Sequence, residues 1–284
     1  MIGRKKEIQE LNDLYHSNQA ELVAVYGRRR VGKTFLINEV FENHYAFQHV
    51  GLSPIEQTKK GMLGKQLESF YYSLLKSGMN AKRKPKSWLE AFYYLETFLD
   101  SINNGERQVI FIDGLPWLDT KRSGFLTAFE SFWNGWTCLR KHVMVIVCGS
   151  ASSWILDNLI NNHGGLYNRV THEIELAPFT LQECEQFFRE SGKTFIRYNI
   201  IQSYMAVGGI PYYLRYFKRD LSIAQNYDEL FFQKKAKLRN EFDRLFDSIY
   251  DNPETMKKNH QETQFQKSRM ATRRIGQSPW HERW

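Results

Sequence analysis

Eight residues near the N-terminus, GRRRVGKT from Gly27 to Thr34, place two glycines, a lysine and a hydroxyl in the spacing G-x-x-x-x-G-K-[S/T]. Each residue type has a role at a polyphosphate. Gly27 and Gly32 let the backbone turn tightly, so that its N–H groups face phosphate oxygens. Lys33 supplies a compact positive charge for the β- and γ-phosphates, and Thr34 offers its hydroxyl to Mg²⁺. Arg28, Arg29, Arg30 and Val31 fill the loop, and Phe35 follows as a helix begins with its positive end toward the anion. A second candidate is Asp113, which ends the apolar run VIFID. A carboxylate at that place holds Mg²⁺ in phosphate-loop proteins, which makes Thr34 and Asp113 the expected metal pair. A third is Ser150, at the end of VMVIVCGS, where a hydroxyl can reach a γ-phosphate or an attacking water. The plainer alternatives are a turn aspartate and a helix-capping serine.

These residues need a scaffold that presents strand ends side by side. ELVAVY (21–26), YAFQHV (45–50), QVIFID (108–113), HVMVIVCGS (142–150) and HEIEL (172–176) read as strands. Helical stretches are expected at 34–41, about 57–77, 88–102 and 125–136. Continuously apolar strands alternating with helices predict an α/β fold, a mostly parallel sheet covered by helices on both faces. After Pro178 only helices are expected. TLQE at Thr180 and SIAQ at Ser222 read as capping boxes. NIIQSYMAV and IPYYLRYF are separated by Gly208-Gly209, and a charged helix is expected from about 236 to 250. The expected organisation is a phosphate-loop core over 1–178, a small all-helical lid over 179–252, and a disordered tail over 253–284. That tail contains one residue of the Ile, Leu and Val type, Ile275, too few to bury a core. Its abrupt change of character is that of a truncated or frame-shifted end.

Composition narrows the function classes. No run of about 18 apolar residues is present, so no membrane span is expected. Three cysteines without metal spacing fit small buried hydrophobes in a reducing, cytoplasmic compartment. The net charge of +8 could serve nucleic acid, but half of it lies in the tail and part lies in the phosphate loop. Solvated surface charge is the competing reading.

The elements IGRKKEI (2–8), GRRRVGKT, VIFIDGLPWL (109–118), VIVCGS, GGLYNR (164–169) and GGIPYYL (208–214) occur in that order. Together they resemble the archaeal-type AAA-like ATPases of the signal-transduction ATPase (STAND) class, similar to the ATPase core of origin-recognition proteins. The resemblance covers about residues 1–250. It implies that ATP or ADP is the ligand, with Mg²⁺. It also implies that Ile2, Gly3 and Arg4 lie beside adenine and ribose, and that Pro211 contacts adenine from a lid. Lys33, Asp113, Ser150 and Arg169 form the implied catalytic set, with Arg169 reaching phosphate in cis or across a subunit interface. A protein partner or a homo-oligomer through lid and core is also implied. Relatives usually continue into a winged-helix module and often a nuclease-like domain, and no such segment follows here, so DNA association has weak support.

One position departs from the family pattern. The residue after the metal aspartate is generally a glutamate that activates water; here it is Gly114. Losing a positioned base costs about 10²–10⁴ in rate, whereas nucleotide binding survives. Asp119 and Glu130 are the substitutes to consider, although spacing aims neither at the site. Two readings therefore stand: ATP hydrolysis coupled to lid movement, or a nucleotide-binding switch with little hydrolysis. A DNA-associated ATPase is a third. On this reasoning, Gly114→Glu is expected to raise hydrolysis.

Overall fold

The computed structural model describes residues 1–42, 44–53, 61–150, 152–161 and 164–241. The expected tail, and most of the expected helix at 236–250, lie outside the described residues. Two compact units are present, Met1–Ile223 and a second beginning at Ala224.

The first unit is built on five parallel strands: β1 (Glu21–Tyr26), β2 (Tyr45–Val50), β3 (Gln108–Asp113), β4 (Val143–Gly149) and β5 (His172–Glu175), in the order β2-β3-β4-β1-β5. All their pairings are parallel. Every residue of β1 and β4 is buried, as inner strands of a doubly covered sheet require. The edge strands β2 and β5 mix buried and exposed positions. All five expected strands are present, with ends within two residues of the sequence reading.

Alternation along the strands sorts the core into two faces. Leu22, Ala24, Tyr26, Ile110, Ile112, Val145 and Val147 belong to one cluster with the helices α3 (Met62–Lys76), α4 (Trp88–Ser101) and α6 (Phe125–Gly135). That cluster is largely aromatic. Trp88 meets Phe70 edge-on at 5.5 Å and Phe125 at 5.0 Å, and Phe92 stacks on Phe132 at 5.0 Å. Such pairs add about 0.5–1.5 kcal/mol each beyond the area they bury. Helix α1 (Lys5–Tyr15) packs on α2 (Lys33–Phe41), with Tyr15 against Phe41 at 5.8 Å. The sequence pattern gives no warning of α1, because Leu11 is its sole fully buried residue among charged neighbours. The short α5 (Leu115–Leu118) and α7 (Ser152–Ile155) were likewise not expected.

The helices after Pro178, α8 (Leu181–Glu190), α9 (Arg197–Val207) and α10 (Pro211–Leu214), belong to the same compact unit as the sheet. The expected capping box opens α8: the Thr180 hydroxyl accepts from Glu183 N–H, and the Glu183 carboxylate accepts from Thr180 N–H at 2.7 Å. All but the first residue of α11 (Ile223–Tyr227) belongs to the second unit, where the helix runs into a wider turn over Asp228–Phe232 and Leu238 N–H closes onto Leu230 C=O at 2.9 Å. Residues 237–240, at the start of the expected charged helix, form turns.

His49 on β2 makes the fold acid-sensitive. It is 1% exposed, between Phe47 and Phe70, and shares a hydrogen bond of 2.9 Å with the Ser73 hydroxyl. Burial pushes its pKa down to about 3. The unfolded chain takes up this proton near pH 6.5 and the native chain only near 3. Stability present above pH 6.5 is therefore lost progressively as pH falls through that window, by on the order of 5 kcal/mol at the acid end. His49→Phe should be close to neutral at pH 8, because Ser73 can still donate to Ser69 C=O. It should be more stable than wild type at pH 5. Urea titrations at both pH values check this; a variant that loses equally at both denies His49 the role.

Candidate nucleotide-binding site

In a parallel sheet, all strand ends of one sense fall on one edge, which is where ligands bind in open α/β sheets. Here the register levels three of them. Tyr26 pairs with Gly149, and Asp113 pairs with Cys148. Because β4 lies between β1 and β3, Ser150 emerges between the Gly27–Thr34 loop and Asp113. The loop and the aspartate are two strands apart, roughly 10 Å at the usual strand spacing. Helix α2 closes that gap: Thr34, in its first turn, donates its hydroxyl to Asp113 Oδ2 at 2.5 Å.

Asp113 is held from further sides. Its Oδ1 accepts from Gly114 N–H at 2.7 Å, and the fully buried Cys148 thiol lies on the neighbouring strand, paired with it in register. Burial, reinforced by the Asp113 charge, pushes that thiol well above its usual pKa, so it stays protonated and is no nucleophile. Lys33 is 7% exposed and folds back on its own loop, donating to Gly27 C=O at 2.8 Å and Arg28 C=O at 3.0 Å. Burial lowers the Lys33 pKa and Asp113 opposes that shift. Thr34 and Asp113 converge as a hydroxyl and carboxylate pair suited to Mg²⁺, an ion usually held by one or two such groups plus substrate phosphates. No cluster of three metal-ligating side chains occurs among the described residues. The donor set thus fits a metal that arrives with a nucleotide.

A cavity of about 670 Å³ opens over this edge. Of the residues expected from sequence, Ile2, Arg4, Arg29, Arg30, Val31, Gly32, Lys33, Thr34, Phe35, Asp113, Ser150 and Pro211 line it. Gly3, Gly27 and Arg28 do not, although they build its frame. Arg4 donates to Ala177 C=O at 2.6 Å beneath Phe179. Arg169 is not brought to the cavity. Its loop leads to Thr171, whose N–H bonds to Leu22 C=O at the start of β1. The phosphate loop leaves the other end of that strand, roughly 15–20 Å away. The cis contact expected for Arg169 is therefore not made; the side chain is exposed at the opposite edge.

Sequence reasoning missed Trp117, Phe179, Phe187, Glu190, Tyr212 and Arg215, which also line the cavity. Tyr212 was signalled only by following Pro211. The Gly208-Gly209 turn positions that side. Both residues are left-handed, and a side chain on Gly209 would strike Phe179 C=O at 2.2 Å. Gly209 C=O in turn accepts from Phe179 N–H at 2.9 Å, which seats Pro211 as the first residue of α10.

Gly114 reads differently in three dimensions. It is left-handed, with φ 69°, and a Cβ there would lie 2.7 Å from the Trp117 ring. Gly51 and Gly149 also admit no side chain: their Cβ positions fall 2.8 Å from Gly114 O and 2.9 Å from Pro116 Cδ. Buried Gln66 locks the turn by donating to Trp117 C=O at 2.8 Å while bonding Leu52 on both backbone sides. A glutamate at 114 would thus need a strained backbone and a displaced indole, which overturns the expectation that Gly114→Glu simply restores hydrolysis. The alternative carboxylates are elsewhere. Asp119 is half-buried against Trp154, its pKa raised by burial, and Glu130 lies against Gly165. Neither lines the cavity.

A family model described as an ATPase domain predominantly from Archaea matches residues 1–217. The chain belongs to that family. An uncharacterised protein of Methanocaldococcus jannaschii is 26% identical over 257 residues, 90% of this chain and 52% of its own length, so the chain spans about half of that relative. An uncharacterised ATP-binding protein of the same organism is 48% identical over 42 residues, 15% of this chain and 71% of that protein. The Walker-type ATPase of Pyrococcus abyssi shares the fold, with a TM-score of 0.54 at 20% identity, over 96% of this chain and 77% of that one. Among the described residues, no helix is long and apolar enough to cross a membrane.

As a member of this ATPase family, the chain should lose ATP affinity by at least about a hundredfold on Lys33→Ala, since several charge-assisted bonds go at once. With Lys33 as the expected phosphate counter-charge, wild-type affinity should also decline with rising pH before the ordinary lysine value of 10.5 is reached, because burial has lowered its pKa. Calorimetric titration across this range checks both; undiminished binding by Lys33→Ala would place the site elsewhere.

Proposed function

We propose that this chain binds ATP with Mg²⁺ in the cavity and acts as a nucleotide-dependent switch that hydrolyses slowly, with the helical segment after Pro178 serving as its lid. One observation carries the reading. The Thr34–Asp113 pair and Lys33 are in place, while the next residue after the aspartate is a left-handed glycine closed over by Trp117. The binding half of the chemistry is provided for and the water-activating half is not.

The residues divide the work as follows. Thr34 and Asp113 would hold the Mg²⁺, which supplies charge neutralisation between the β- and γ-phosphates. Lys33 exchanges two backbone carbonyls for phosphate oxygens, a strengthening of its bonds because the new acceptors are charged. Ser150, between the loop and Asp113, offers a hydroxyl to the terminal phosphate. Ile2, Phe179, Phe187 and Pro211 give the apolar surface a purine needs, and no membrane role is part of the reading.

Hydrolysis coupled to lid movement stays as a second reading, because every phosphate- and metal-binding group of the family pattern is present. Arg169 bears on it: exposed at the far edge of the sheet, it could act only on a neighbouring copy's nucleotide. A DNA-associated role has the basic charge in its favour, and a salt-titrated filter-binding assay decides it, since salt-insensitive or absent binding removes it.

Binding and turnover measured on one preparation test the switch. The expected result is saturable Mg²⁺-dependent ATP binding with turnover well below about 1 s⁻¹, the low end of ordinary enzymes. Faster turnover would mean that another base exists. Gly114→Glu alone should give no gain and should destabilise the fold by about 1–2 kcal/mol or more, from the left-handed backbone. Gly114→Glu with Trp117→Ala should hydrolyse faster than either single variant. Equal gains from Gly114→Glu with and without the tryptophan would show that the turn yields freely.

A further inference from the structure

The second unit presents an aromatic ring to solvent beside a run of cations. Three rings follow one another along α11 and the turn over Asp228–Phe232. Tyr227 meets Phe231 at 6.2 Å and Phe231 meets Phe232 at 6.4 Å, both pairs edge-on. The turn beneath them is fixed. Gln233 donates its N–H to Asp228 C=O at 3.0 Å and its side-chain amide to Asp228 Oδ2 at 2.9 Å. Phe232 ends the row at 73% exposure, and among the described residues it is the only large apolar side chain that the second unit leaves exposed. Lys234, Lys235, Lys237 and Arg239 follow, all exposed, and no acidic residue interrupts 232–240. Among the described residues no carboxylate forms an ion pair with Lys234, Lys235 or Arg239. The bond from Leu238 N–H to Leu230 C=O at 2.9 Å closes this segment on itself. Lys234 and Lys235 are two and three residues from Phe232, at most about 11 Å along the backbone.

We propose that this closed segment is a binding site for single-stranded nucleic acid, in which a base stacks on Phe232 while Lys234 and Lys235 hold the phosphates beside it. A ring backed by other rings and flanked by cations is what an unpaired base on a charged backbone requires. The bases of a duplex are already covered by their neighbours and gain no stacking from Phe232, so the single strand is the favoured form. An anionic membrane surface would need a broad apolar face, and one ring does not supply it. This rests on the nucleic-acid reading above, which it deepens by naming the site and the form of the strand. It is independent of the cavity in the first unit.

The test is fluorescence anisotropy of a labelled oligothymidine of about 15 nucleotides, near the upper site size of one single-strand-binding fold, titrated with the full chain. Phe232→Leu keeps the apolar bulk but has no ring face, and should weaken binding by about tenfold. Phe232→Trp should bind at least as tightly as wild type. Lys234→Ala combined with Lys235→Ala should lower the slope of log affinity against log salt by about 1.4, at about 0.7 per phosphate contact. The same strand annealed to its complement should bind about tenfold more weakly than the single strand. Unchanged thermal midpoints report that the variants are folded, as expected for exposed positions. Binding that neither Phe232→Leu nor the lysine pair alters, or a duplex bound as tightly as the single strand, overturns the proposal and leaves nucleic-acid binding to another surface. Capture by phosphatidylserine vesicles without oligonucleotide binding overturns it in favour of a membrane. A wild-type chain that binds no nucleic acid removes the nucleic-acid reading and this inference together, while ATP binding on the same preparation still stands or falls by itself.

Discussion

The hydrogen bond between the Thr34 hydroxyl and Asp113 is the contact on which the site depends. It joins two residues 79 positions apart in sequence and two strands apart in the sheet. It forms only if β4 is inserted between β1 and β3 with its end level with both. That insertion is why β4 is uniformly buried and why the aromatic layer of α3, α4 and α6 is so large: a central strand must be covered on both faces. Core packing and site chemistry are therefore one problem here. A slip of one residue in the β3–β4 register would turn Asp113 to the other face of the sheet.

The turn after Asp113 shows the same economy. Gly51, Gly114 and Gly149 come from three different strand ends, and each is tight against its neighbours because α5 is wedged among them. The wedge puts the Trp117 ring where a side chain on Gly114 would begin. The glycine at 114 is thus part of a built arrangement of several residues rather than a single missing side chain.

Much of this was legible in the sequence. The five strands and the phosphate-loop spacing were readable because apolar runs and fixed glycine positions are local signals. Lys33, Thr34, Asp113 and Ser150 could be placed for the same reason. The helical wall of the site was not readable. Phe179, Phe187, Tyr212 and Arg215 gather at the cavity through the fold of a segment whose apolar positions look like ordinary core. Arg169 shows the converse: its motif is local and recognisable, but its distance from the phosphate loop is set by the length of β1, which a motif does not encode. Gly114 was noticed for its missing side chain, whereas its left-handed backbone and the ring above it depend on tertiary packing.

The bond from Phe179 N–H to Gly209 C=O has a mechanical consequence. It ties the residue where the chain leaves the sheet for α8 to the residue where it comes back from α9. The stretch between them is thereby closed into a loop, and Lys193 within it adds a second tie by donating to Arg215 C=O at 2.8 Å. Phe187 and Glu190 are carried inside this loop, and Tyr212 and Arg215 lie just beyond its closing bond. The outer face of this loop, where Tyr198 near the start of α9 and Met205 near its end are exposed, is thereby tied to the same bond that shapes the cavity wall.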